Sequence, residues 1–167
     1  MTADRWLPER PFPPYAFLPG RDPHPTRDPR GHSYSEEPEE PAGYAEPGEW
    51  RTNDWYLHGV DLYNHGYLWE AHEAWETIWH PAKHDRLQAD FLQGLIQCAA
   101  ASLKIPMGQP RGLAALSKNG TERLERVAQE TGGRFMGLDI RPFVAEFRRF
   151  ALSSPDSADD RPRIELE

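Results

Sequence analysis

The chain has 167 residues, 27 acidic against 19 basic side chains, a formal net charge of −8 and 38% apolar residues. That balance argues against nucleic acid as a partner, which requires a basic face, and no apolar stretch is long enough to cross a bilayer, so no membrane partner is expected either. The single cysteine, Cys98, excludes an intramolecular disulfide, and the N-terminus MTADRWLPER lacks an apolar signal core, so a soluble cytoplasmic protein is expected.

Residues 1–50 hold 11 of the 17 prolines. Proline removes backbone donors and favours extended chain, so this part reads as an arm. Within it, LPGRDPHPTRDPRGHSY carries Arg21, Arg27 and Arg30 with His24 and His32, and EEPEEPAGYAEPGE is expected to be a mobile acidic connector. Trp6, Phe12, Tyr15 and Phe17 are more aromatics than a free tail needs. Residues 6–34 are therefore expected to pack on the folded body, with one of the three arginines near its acidic rim. The body should span 51–152, followed by a flexible polar tail over 153–167.

Five helices are predicted in the body. Thr52 or Asn53 caps the first, which runs to about His65 and stops at Gly66. The second runs from Tyr67 to about His80, before Pro81. Asp85 caps the third, from Arg86 to about Ile105; its apolar circumference marks it as central, and Gly94 and Ala99 to Ala101 permit close helix approach. The fourth covers about Pro110 to Thr131 and ends at Gly132-Gly133. Asp139 caps the fifth, about Ile140 to Leu152. No segment alternates with strand composition. The expected class is all-α, a single bundle of about five helices with an extended Pro-rich arm.

The second predicted helix, GYLWEAHEAWETIWH, draws the chemistry to itself. At 100° per residue Leu68, Ala71, Trp75, Ile78 and Trp79 form an apolar stripe containing His72. Glu76 and Trp69 fall on its border, with Glu73 and His80 just beyond, while Glu70, Ala74 and Thr77 should face solvent. Trp69, Trp75 and Trp79 would wall a binding site, and Gln93 and Gln97 of the third helix could donate amides to its carboxylates. His72 and Glu76 stand at the spacing of two metal ligands one turn apart, with Glu73 as base. A third ligand would have to come from His24, His32, His58, Asp61, His65, His80 or His84, none fixed by spacing, so no metal or other cofactor is expected. Cys98, in an alanine-rich apolar helix, reads as inert core.

Two blocks carry a family resemblance. Asn64, Gly66, Tyr67, Glu70, Ala71, His72, Glu73, Trp75, Glu76 and Trp79 follow N-x-G-Y-x-x-E-A-H-E-x-W-E-x-x-W, and Leu92 to Ala101 follow L-Q-G-L-I-Q-x-A-A-A. Roughly over residues 53–130 the chain resembles the domain-of-unknown-function 309 family. The resemblance implies a compact helical bundle and brings no activity with it. The expected function is a module binding a small molecule or peptide, or a structural module, with homo-oligomerisation left open. The alternative is a metal-dependent or acid–base hydrolase using His72, Glu73 and Glu76.

Overall fold

The computed structural model describes residues 4–37 and 40–167. Five helices form the body: α1 (Asp54–Asn64), α2 (Leu68–Trp79), α3 (Arg86–Leu103), α4 (Pro110–Thr131) and α5 (Ile140–Leu152). Their ends obey local chemistry. The Asn53 side chain accepts from Tyr56 N–H, and that of Asp85 from Gln88 N–H. Gly132, at φ 76°, gives α4 its left-handed exit. Asp139 precedes α5 as expected, but its side chain makes no capping bond.

The core lies between α1, α2, α3 and α4, with α5 laid on α4. α3 is central, and Phe91, Leu92, Leu95, Cys98 and Ala99 are all fully buried on it. A Cβ built on Gly94 would sit 2.7 Å from Leu124 Cγ, and one on Gly120 would sit 3.0 Å from the Gly94 carbonyl. The two glycines thus mark where α3 and α4 approach most tightly. Gly59 does the same for α1 against the indole of Trp75, whose Nε1 donates to the Tyr56 carbonyl at 3.3 Å.

A small hairpin was not expected. β1 (Arg134–Phe135) and β2 (Leu138–Asp139) pair antiparallel around Met136 and Gly137, at φ 47° and 82°. Positive φ at both central residues gives the turn a twist suited to a two-residue hairpin.

The arm is docked, as its aromatics suggest. Phe12 stacks on Tyr67 at 4.8 Å, Phe17 is buried, and Trp6 packs edge-on to Trp50 at 5.7 Å. Arg21 and Arg30 do not make the contact expected of them. Arg21 pairs with Asp22 and Arg30 with Asp28, both within the arm, where short loops bring the charges together. Carboxylates of the bundle instead receive the arm's backbone. Trp6 N–H and Leu7 N–H donate to Asp61, each at 2.9 Å, and Phe17 N–H donates to Glu70 Oε2 at 3.0 Å. An extended, proline-rich strand has no ladder of its own, so its buried donors need acceptors elsewhere.

Of the expected mobile connector, residues 38 and 39 lie outside the described residues. The part from Tyr44 onward is tied down: Tyr44 O–H donates to Asp85 at 2.8 Å, Gln88 donates to the Ala45 carbonyl, and Trp50 is buried in the 3-10 turn Pro47–Thr52. The polar C-terminal segment is likewise ordered against the body rather than frayed. The Asn64 amide brackets the Ile164 backbone, giving to its carbonyl and accepting from its N–H at 2.9 Å each. Ile164 is buried, and Leu166 bridges to Leu138 beside β2. Backbone pairing with a side-chain amide holds a segment whose composition reads as tail. Among the described residues no helix is long and apolar enough to cross a membrane.

Candidate functional site

Helix α2 has two polar edges. On the first, His72 Nδ1 lies 3.1 Å from the Trp69 carbonyl, which can only accept, so this nitrogen donates. The ring is thereby aimed with Nε2 toward Glu76 Oε1 at 3.2 Å and Glu73 Oε1 at 3.8 Å. One ligand atom from each of the three side chains lies within 4.8 Å of the other two. The group is half-buried: His72 is 24% exposed and Glu73 45%. Two carboxylates facing one imidazole nitrogen suit a shared proton or a cation between them. Glu73 thus stands where a third ligand would have to stand, a place that spacing alone left vacant.

The tryptophans divide. Trp75 is fully buried in the core and walls no surface site. Trp69 is packed edge-on by Phe17 and His24 of the arm, at 5.3 and 5.4 Å. Trp79 lies beneath Lys83, whose Nζ is 4.6 Å from the ring centre. Gln93 and Gln97 are half-buried on α3. Gln97 sits against Gly120 of α4, and no hydrogen bond among the described residues joins either glutamine to His72, Glu73 or Glu76.

The second edge of α2 differs most from expectation. Glu70 and Ala74, read as solvent-facing, are only 6% and 4% exposed, because the arm lies over them. A helical wheel describes a bare helix and cannot register a covering strand. Besides Phe17 N–H, Glu70 Oε2 meets His32 Nε2 at 2.6 Å, and the His32 side chain is itself almost wholly enclosed. His32 is fixed from behind by Ser33 Oγ at 2.7 Å from Nδ1, and its backbone N–H donates to the Tyr15 hydroxyl. A carboxylate taken from water survives when its lone pairs are met in this way.

Beside this contact, arm, α1 and α2 enclose a cavity of about 210 Å³. The arm contributes Arg10, Thr26 and His32, α1 contributes Trp55 and His58, and α2 contributes Glu70, Glu73 and Thr77. Glu73 therefore touches both edges of its helix. His58 is 7% exposed, and its Nδ1 is buried with no hydrogen-bond partner. Burial, together with the positive charge of Arg10 and against the pull of Asp61, drives its pKa down from 6.5 to about 4. The ring is thus neutral at pH 7, with a ring nitrogen uncommitted. Sequence reasoning named His58 only among distant metal ligands and placed Glu70 in water. The available signal was the acids Asp61 and Glu70, on helices whose other inward residues, His58 apart, are mainly apolar or aromatic.

Fold and site together define a five-helix bundle closed by its own N-terminal strand, with an acid- and histidine-lined helix beneath the strand. Residues 56–116 match the family model described as Domain of unknown function (DUF309), the family that the two motifs resemble. The matched span holds His58 and all of α2; the arm and the C-terminal segment lie outside it. No curated protein and no solved structure matches the chain.

Proposed function

We propose that this protein is a binding module for a small polar molecule, held in the cavity between the arm and helices α1 and α2. The observation that carries the reading is the buried Nδ1 of His58, left without a partner on the cavity wall. Leaving such a group unpaired costs about 1–3 kcal/mol, a penalty that a hydrogen-bonding ligand removes once the lid's movement opens that nitrogen to it. The arm supplies part of the wall, so it serves as a lid and the ligand enters when the lid lifts. At about 210 Å³ the space suits a compact molecule. The test is a fragment screen by ligand-observed NMR on the full chain and on His58→Leu. Compact polar fragments should bind the native chain and lose binding in the variant. Fragments indifferent to His58→Leu, or none at all, would remove the basis of the reading.

A second reading is favoured by the clustering of His72, Glu73 and Glu76: a hydrolase using these groups with a divalent cation or by acid–base exchange. The binding reading expects less than stoichiometric zinc, manganese or iron in protein purified without a histidine tag. About one equivalent, lost on His72→Ala, would favour the hydrolase.

A further inference from the structure

Arg161 is buried with its positive charge only partly compensated. Its side chain is 6% exposed, and its hydrogen bonds run to neutral carbonyls: Nη1 donates to Ala158 at 2.7 Å, and Nη2 to Tyr63. Asp159 stands 3.8 Å from Nη1, but it is 91% exposed and hydrated. Nε is buried with no partner. The Tyr63 ring lies 5.0 Å from Cζ, and a guanidinium removed from water and met by two carbonyls, a ring and one exposed carboxylate still retains a desolvation cost, which a buried anion would offset. Burial accordingly lowers its pKa from the ordinary arginine value.

Arg161 also lines a cavity of about 280 Å³ that shares no lining residue with the His58 cavity. Its other walls are mainly apolar: Phe17 from the arm, Leu68 from α2, and Leu103 and Ile105 from the end of α3. Ser157, on the same wall as Arg161, has a hydroxyl able to donate. The remaining charged groups, Arg21, Asp156 and Asp159, are all exposed at the mouth. The cavity therefore sets a buried cation among apolar walls, with the exposed Asp159 only 3.8 Å from that cation and an acidic excess at the rim. We infer that this cavity binds a small monocarboxylic acid with an apolar body, its carboxylate against Arg161 and Ser157 and its body along Leu68, Leu103 and Ile105. The two rim aspartates disfavour a second negative charge on the ligand, which sets a monocarboxylate apart from a dicarboxylate or a phosphate. The volume, at the lower end for ligand pockets, favours a compact acid.

The experiment is an isothermal titration of the full chain at neutral pH with hexanoate, paired with a ¹H–¹⁵N NMR titration. Hexanol, hexylamine and adipate serve as comparison probes. Hexanoate should bind saturably and shift amides at 103–105 and 157–161, and each comparison probe should bind at least about tenfold more weakly. Replacing Arg161 frees the Tyr63 carbonyl and risks the fold, so the discriminating variant is Ala158→Leu. It fills the cavity from its wall and keeps both backbone partners of Arg161. With an unchanged melting temperature, Ala158→Leu should weaken hexanoate by at least about tenfold. No saturable hexanoate binding at millimolar concentration, hexanol or adipate binding as well as hexanoate, or undiminished binding by a folded Ala158→Leu would each overturn the inference.

Discussion

Replacing Glu70 by alanine tests the connection between arm and bundle at its most buried point. Two donors converge on that carboxylate, Phe17 N–H at 3.0 Å and His32 Nε2 at 2.6 Å. Both are enclosed, so truncation leaves each without water or acceptor. Leaving a buried donor without its acceptor costs about 1–3 kcal/mol for each donor. The arm has an escape that a core helix lacks: it can lift off and rehydrate. The observed loss is then limited to the free energy that docks the arm, and amide protection over 15–34 disappears while that of α3 stays. Glu70→Gln is the control. The amide keeps an acceptor for Phe17 N–H and offers a donor to the His32 ring, so its cost should be near 1 kcal/mol. Urea denaturation with hydrogen exchange by mass spectrometry reads both quantities. A Glu70→Ala protein within about 0.5 kcal/mol of the native chain, with the arm still protected, would refute the idea that this carboxylate holds the strand.

His58 provides a pH signature. Its folded pKa, about 4, lies below the ordinary 6.5, so the unfolded chain binds a proton that the folded chain refuses, and stability falls as pH drops through that interval. At 1.36 kcal/mol per unit the full effect is about 3 kcal/mol, which partial hydration of the ring reduces to roughly 2; native minus His58→Leu stability, measured from pH 7 to 4, should show that loss, and a flat difference counts against it. His58→Leu should also be at least as stable as the native chain at pH 7, because it removes an unpaired buried nitrogen. Gly94→Ala should cost about 1–3 kcal/mol, since the added carbon meets Leu124 at 2.7 Å and the α3–α4 contact must open; an unchanged melting temperature would mean the helices part freely.

The five helices were legible because their signals are local. Asn53, Asp85, Gly66 and Gly132 punctuate the chain within a few residues of each boundary, and the apolar spacing of α3 announces its central place. The His72, Glu73 and Glu76 group was legible for the same reason: one turn of helix brings the three together. Glu70 was not, because its burial depends on a strand some fifty residues earlier whose prolines carry no periodicity. His58 and Arg161 were hidden by the same distance, for what marks them is a missing partner, and only a fold can show that. The hairpin at 134–139 is too short for any repeat, and Met136 is an unusual residue to take positive φ.

Asp61 and Glu70 grip the arm by its main chain. Trp6, Leu7 and Phe17 present N–H groups to them, and any amino acid except proline has that group. The arm is therefore recognised at these points by where its peptide units fall, in addition to the side chains of Phe12, Phe17 and His32 that seat it elsewhere. Prolines at 8, 11, 13, 14 and 19 flank these three positions without occupying them. At Trp6 and Leu7 that rule fixes the register: a shift of one residue would set Pro8, which has no N–H, against Asp61 and unseat the arm.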